Sequence, residues 1–255
     1  MAICSCEFIQ QCEPPERGYR FSVPFTTTTY VEVTVGKASA PRRTWILIEQ
    51  YLATVSPWFE AALKKEWMAR KSKRCLELDD VDPGVFSIFV EWLHGRKLLD
   101  KDGIPLDLEK SPYIRGLFDG PAQEAWTMKM RVTVDQLVCI YQFADEYDIP
   151  QLRRDTTDRL SRLSQVCFPY FIPWPGSVSK AFANLPANSP MLQLLADILA
   201  QNWSESDLSE ESLEESGYIQ APKMLLFKVL ENRVINRMTP VKRLLPCDYH
   251  EHKDK

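Results

Sequence analysis

The chain has 255 residues, of which 45% are hydrophobic and 26% are charged, and its formal net charge is −4. This length allows one large or two small domains, and the apolar share suffices for a packed core. The acidic balance gives no general attraction to nucleic acid, and the apolar runs are too short to cross a bilayer. We therefore predict a protein with neither nucleic-acid nor membrane partners.

The seven cysteines are odd in number and spread along the chain, unlike the dense framework of a small secreted scaffold. Residues 1–25 lack the basic start and the apolar middle of a signal peptide. These features predict reduced thiols and a cytoplasmic or nuclear location.

The first elements in chain order are an arm and two strands. Residues 1–27 are weakly patterned and predict a flexible N-terminal arm, with Phe21, Val23 and Phe25 as an alternating strand in the other interpretation. From Tyr30 to Val35 apolar and polar residues alternate, and an apolar run from Trp45 to Ile48 follows turn residues. This pattern predicts two strands in a hairpin-like pair.

Two capped helices with a short strand between them follow. Ser56 and Pro57 predict the start of a helix whose apolar side carries Trp58, Phe59, Ala62 and Leu63. Cys75 to Leu78 reads as a short strand, and a helix capped by Asp82 should then run to Gly95. The aromatic residues of these helices and the next predict the core: Phe59, Phe86, Phe89 and Tyr141.

Two segments between these elements admit a functional interpretation. Residues 64–74 are strongly basic around Trp67, which suits a solvated connector better than a nucleic-acid contact because the charge is local. Residues 96–132 are rich in glycine, proline and aromatic residues, which predicts a partly ordered insertion. Its candidate partner-facing patch, or alternatively its own small core, is Tyr113, Leu117, Phe118 and Trp126.

The C-terminal half predicts further helices. Thr133 fits the start of one, Pro150 the start of the next, and Ser189-Pro190 the start of a largely buried third. A last helix should bury Leu226, Leu230 and Val234. The predicted organisation is an arm over 1–27, a first domain over 28–161, a proline- and aromatic-rich connector over 162–188, a helical region over 189–240 and a tail over 241–255.

The central phrases YLATVSPWFEAAL and LELDDVDPGVFSIFVEWLHGRKL resemble the BTB/POZ domain family, and the chain is similar to fungal BTB proteins. The phrases VEVTVG upstream and FADEYDIPQLRRDTTDRL downstream match the family in the same order, so the resemblance covers about half of the chain. It implies an α+β, mostly helical fold of the BTB/POZ type, a small sheet with surrounding helices, over 28–161, followed by an all-helical C-terminal region.

The resemblance implies a non-enzymatic module for protein–protein interaction and self-association. A homodimer would form through the first strand and first helix, with Trp45, Ile46, Tyr51 and Leu52 near the contact. Alternatives are a substrate adaptor of a cullin-type ubiquitin ligase and a transcriptional cofactor that acts through the dimer. In adaptor-type relatives an acidic residue stands where this chain has Cys139, and the insertion lies where the scaffold would dock, so we expect weak or absent cullin binding.

Chemical alternatives find little support in the sequence. It contains no glycine-rich nucleotide loop, no nucleophile elbow and no HExxH motif. Cys247, His250 and His252, joined by Cys4 and Cys6, are the one zinc-like combination in the sequence, and their spacing fits no known finger. We predict no enzyme, no catalytic or metal-binding residues and no cofactor.

Overall fold

A computed structural model of the chain describes residues 29–39, 41–64, 74–95, 98, 121–166, 173–203, 214, 218, 222–238, 244 and 246–249. The chain divides into two compact units. The sheet unit comprises Phe8–Pro105 and Phe143–Arg153, and the helical unit comprises Met1–Glu7, Leu106–Gln142 and Arg154–Lys255. The domain boundaries predicted above stay predictions.

The described elements confirm an α+β, mostly helical protein with a small mixed sheet. In chain order they are β1 Tyr30–Val35, β2 Arg43–Ile48, α1 Glu49–Val55, α2 Pro57–Ala62, β3 Cys75–Leu78, α3 Pro83–Gly95, α4 Pro121–Glu146, α5 Pro150–Val166, α6 Pro175–Asn184, α7 Pro190–Asn202, α8 Lys223–Met238 and a 3₁₀ helix at Pro246–Tyr249.

The sheet of the sheet unit has β1 at its centre. β1 pairs antiparallel with β2 and parallel with β3, so the strand order is β2-β1-β3. Side chains alternate between the two faces of a strand, and the inward residues Val31, Val33 and Val35 are all fully buried. The predicted antiparallel pair and the predicted short strand are both confirmed.

Aromatic rings fill the core of the sheet unit. Phe89 stacks on Phe59 with ring centroids 6.0 Å apart and meets Phe143 at 5.0 Å. Phe86 packs against Trp45, with centroids 4.9 Å apart. The sequence-based core prediction is confirmed in both units, because four predicted side chains are buried: Phe59, Phe86, Phe89 and Tyr141.

Local capping signals were accurate in the sheet unit. The Ser56 hydroxyl accepts a hydrogen bond from the Phe59 amide at 3.0 Å, which caps α2. Asp82 Oδ1 accepts from the amides of Gly84 at 2.8 Å and Val85 at 3.1 Å, which caps α3. The predicted buried side of α2 was wrong at Trp58, which is exposed.

In the helical unit α4 begins at Pro121, so the predicted start at Thr133 was wrong. Thr133 is a buried residue in the interior of the helix. Pro121 occupies the first helical position, where its missing N–H costs no hydrogen bond, and the residues after it include good helix formers. The last residues of the predicted insertion are therefore helical.

A helix that the sequence did not predict, α6, lies within the segment taken as a connector. Trp174 precedes it and receives the guanidinium of Arg131 over its ring at 4.1 Å from the centroid. The Ser177 hydroxyl donates to Asp135 Oδ1 at 3.1 Å, which joins α6 to α4. The prolines in this segment predicted an irregular connector, but Pro175 occupies the first position of α6, where proline is compatible with a helix.

The two C-terminal helices gave opposite outcomes. In α7 the predicted apolar face is confirmed, with Leu192, Leu195 and Leu199 buried. In α8 the predicted core stripe was wrong, because Leu230 and Val234 are exposed and Leu226 is half-buried. Among the described side chains of α8, the fully buried ones are Leu225 and Val229, on a face rotated by about 100° from the predicted one.

Candidate interaction surface

The outer face of the small sheet carries exposed apolar side chains. Tyr30 is 55% exposed and Ile46 is 70% exposed, and Ile48 beside them is half-buried. Tyr30 lies directly opposite Ile48 in the β1–β2 ladder, and Ile46 follows two residues away on the same face. These three residues form what we call the outer sheet patch.

The patch lies next to a strand edge. Within the described residues β2 pairs on one side only, with β1. The Thr34 and Thr44 hydroxyls lie 3.1 Å apart across the same outer face and hold the two strands in register. An edge strand with apolar side chains beside it is a template on which another polypeptide can add contacts.

Charged residues lie next to the patch, and the exposed Glu32 is directly opposite Ile46 in the β1–β2 ladder. Glu49, the residue after Ile48, forms an ion pair of 2.7 Å with Arg74, which precedes β3. Burial raises the pKa of the Glu49 carboxyl, and the charge of Arg74 and its hydrogen bond oppose that rise. An apolar centre with charged neighbours is the composition typical of a protein-binding surface.

The structure does not bring the four predicted dimer residues together. Ile46 lies in the outer sheet patch, whereas Trp45 points to the opposite face and packs on Phe86. Tyr51 is half-buried with its ring edge-on to His94 at 6.0 Å, and Leu52 is fully buried and so offers no surface. Tyr30 and Ile48 were missed, although the alternation of β1 and β2 contained the signal.

The predicted cullin-contact position, Cys139, lies in the helical unit. Leu137 and Val138 beside it are fully buried. The Cys139 sulfur is half-buried, receives a hydrogen bond from Lys180 Nζ at 2.9 Å and lies 3.8 Å from Asp135. Burial raises the pKa of the Cys139 thiol, and the Lys180 hydrogen bond acts in the opposite direction.

Other predicted sites lie outside the described residues. Three members of the partner-facing patch, Tyr113, Leu117 and Phe118, are among them, and the side chain of Trp126 is as well. The same holds for Phe21, Val23 and Phe25 of the arm, for Trp67 of the basic segment and for the zinc-like side chains of Cys4, Cys6, Cys247, His250 and His252. These hypotheses stay predictions.

No family model matches the chain, and no curated protein matches it. Among the residues that the structure describes, no three His, Cys, Asp or Glu side chains cluster in a way that would bind a metal ion. No described helix has both the length and the apolar character needed to span a membrane.

Proposed function

We propose that this chain is a non-enzymatic interaction module of the BTB/POZ type that associates with a second copy of itself through the outer sheet patch. The observation that carries the proposal is the exposure of Ile46 beside Tyr30 on a sheet face next to an edge strand. Adjacent exposed apolar side chains rimmed by polar residues mark interaction surfaces.

The order of the elements supports the family assignment within this proposal. An antiparallel pair, two short helices, a strand returning parallel to the first and a long helix follow each other in the sheet unit. Ser56-Pro57 and Asp82-Pro83, the phrases that carried the resemblance, both start helices there. The residues that carry the resemblance therefore stabilise the fold, as expected for a module whose function is binding.

The energetics favour a moderate affinity. Burying a large apolar side chain contributes about 1.5–3 kcal/mol, and two-fold symmetry uses the patch twice. Association costs at least about 4 kcal/mol in lost motional freedom. Two exposed side chains buried in each copy therefore leave a net gain of at most about 8 kcal/mol, which corresponds to a dissociation constant of about a micromolar at its tightest.

Cullin binding is a second candidate function that we propose to be weak or absent. The thiol at Cys139 is engaged by Lys180 within the helical unit. A thiol in place of a carboxylate removes a charge-assisted hydrogen bond worth roughly 1.5–3 kcal/mol, about ten- to a hundredfold in affinity. Calorimetry with a purified N-terminal cullin fragment tests this, and a submicromolar dissociation constant would overturn it.

Sedimentation velocity at tens of micromolar, an estimate suited to a micromolar dimer, tests self-association through the patch. We expect the wild type to sediment as a dimer and Ile46→Glu as a monomer, because the contact would bury an unpaired carboxylate. Val132→Glu is the matched control, since Val132 is 45% exposed and lies in the helical unit. A monomeric wild type, or equal effects of both substitutions, would contradict the proposal.

A further inference from the structure

Helix α8 has two apolar faces. One packs against α7 and includes Leu225 and Val229, which are both fully buried. Polar contacts fix this packing, because Asn232 Nδ2 donates to Asp197 Oδ1 at 2.6 Å. The orientation of α8 within the helical unit is thus set by one face, and the other face is left outward.

The outward face carries a continuous apolar stripe. Met224 is 54% exposed, Phe227 68%, Leu230 50% and Val234 59%. Their spacing of three or four residues places them along one side of the helix. We call these four residues the α8 stripe. Large exposed side chains in such a row cost free energy in water, which is the signature of a docking surface.

We propose that the α8 stripe docks against the α8 helix of a second copy, with the two helices antiparallel. Lys228 and Glu231 lie three residues apart on the same flank of the stripe. In an antiparallel pair related by a two-fold axis, matching flanks face each other. An axis placed between residues 229 and 230 then sets Lys228 level with Glu231 of the second copy, and this pair occurs twice.

The apolar residues fit the same axis. Phe227 lies level with position 232 of the second copy. Its ring therefore enters the space between Leu230 and Val234 of that second copy. Leu230 meets Leu230 of the second copy beside the axis. A parallel pair would instead set this flank against the opposite one, which carries Lys223 and Arg233, so Lys228 would face like charges. Charge complementarity therefore selects the antiparallel arrangement.

Lys228 remains able to make this contact. Its ammonium lies 3.4 Å from the Ala187 carbonyl oxygen and 3.5 Å from Gln193 Oε1, both at the long end of the hydrogen-bond range. A lysine carries three N–H donors, so a carboxylate of a second copy can bind alongside these oxygens.

The contact is small, which sets its strength. A helix of 16 residues is about 24 Å long, and a single helix face covers less than the roughly 800 Å² per partner of a standard interface. We expect a dissociation constant on the order of 100 µM. Because the outer sheet patch is a separate contact with its own two-fold axis, the two together would build chains of dimers.

The test uses the full chain carrying Ile46→Glu, in which the outer sheet patch is blocked. Sedimentation velocity up to about 500 µM, several times the expected dissociation constant, should show concentration-dependent dimers. Adding Phe227→Glu should abolish them, and adding Val132→Glu should leave them unchanged. Circular dichroism checks that each variant is folded. If Phe227→Glu has lost helix, Phe227→Ser is used in its place. Monomers throughout, or dimers that persist in both Phe227 variants, would overturn the proposal.

Charge exchange tests the antiparallel geometry. Lys228→Glu and Glu231→Lys, each alone, should weaken association about tenfold or more, because like charges then face each other. An equimolar mixture of these two single variants pairs unlike charges at both positions, so it should associate more strongly than either variant alone. A mixture no stronger than its components would overturn the geometry. If Ile46→Glu leaves association at tens of micromolar unchanged, the proposal for the outer sheet patch is contradicted. The charge-exchange test of the α8 stripe remains valid in that case.

Discussion

The Ser56 hydroxyl donates a hydrogen bond to the backbone carbonyl of Tyr147 at 2.5 Å, joining parts of the sheet unit that are 91 residues apart in the chain. The same oxygen accepts from the Phe59 amide at 3.0 Å. Ser56 is fully buried, so neither bond is replaced by water when the side chain is removed. Ser56 therefore caps α2 and also holds the segment at Tyr147 against the start of that helix.

Ser56→Ala should lower the free energy of opening of the sheet unit by about 2–4 kcal/mol, the sum of a lost cap and an unsatisfied buried carbonyl. Amide hydrogen exchange of peptides from α2 and α3 measures this locally. Thr54→Ala is the control, because the exposed Thr54 hydroxyl donates only to the Gln50 carbonyl of its own helix, at 2.7 Å. Equal losses in the two variants would contradict the role of Ser56.

Phe89→Ala should cost about 3–5 kcal/mol, because it opens a cavity among rings that are themselves buried. Phe89→Leu keeps most of the apolar volume and should cost clearly less. Urea denaturation followed by circular dichroism compares the two. A variant with alanine that unfolds at the wild-type urea concentration would show that Phe89 is not a core residue.

The sequence predicted the elements whose signals are local. The strands β1 and β3 follow from alternation, and the caps at Ser56 and Asp82 follow from residue type and position. The buried face of α8 was not predicted, because the helix itself carries apolar residues on all its sides and their spacing favours no single face. Packing against α7 decides which of them are buried. The outer sheet patch was predicted only in part. Ile46 was among the predicted dimer residues, whereas Tyr30 on the neighbouring strand was not.

Glu146 provides a pH-dependent test. Glu146 is exposed, and partial loss of solvent contact, followed by repulsion from Asp80, raises the pKa of its carboxyl above its ordinary value. Between the ordinary and the raised pKa the folded state binds more protons than the unfolded state, so stability from this group falls as pH rises. Glu146→Gln should therefore raise the melting temperature at pH 7, and the gain should shrink toward about pH 4, near the ordinary carboxyl pKa.

Asp80→Asn checks the cause of this effect. It removes the repulsion but leaves the partial desolvation of Glu146, so it should give a smaller gain at pH 7. The gains of the two substitutions should not add, because both relieve the same repulsion. A Glu146→Gln gain that is equal at pH 4 and pH 7 would contradict the raised pKa.

Cys139 should react slowly with iodoacetamide in the folded protein, because burial raises the pKa of its thiol and the thiolate is the reactive form. The Lys180 hydrogen bond opposes this rise, so Lys180→Met should slow the reaction further. Peptide mass mapping follows Cys139 separately, and the rate at half-buried Cys75 in the sheet unit serves as the internal control. A faster reaction in Lys180→Met would contradict the role of Lys180.

Self-association through the outer sheet patch is tested most directly by light scattering of the Phe227→Glu variant, because the α8 stripe is then removed. At tens of micromolar, above the expected dissociation constant, we predict a molar mass of twice one chain. Adding Ile46→Glu to this variant should return the mass to one chain. A Phe227→Glu variant that has the mass of one chain throughout this range would contradict the claim.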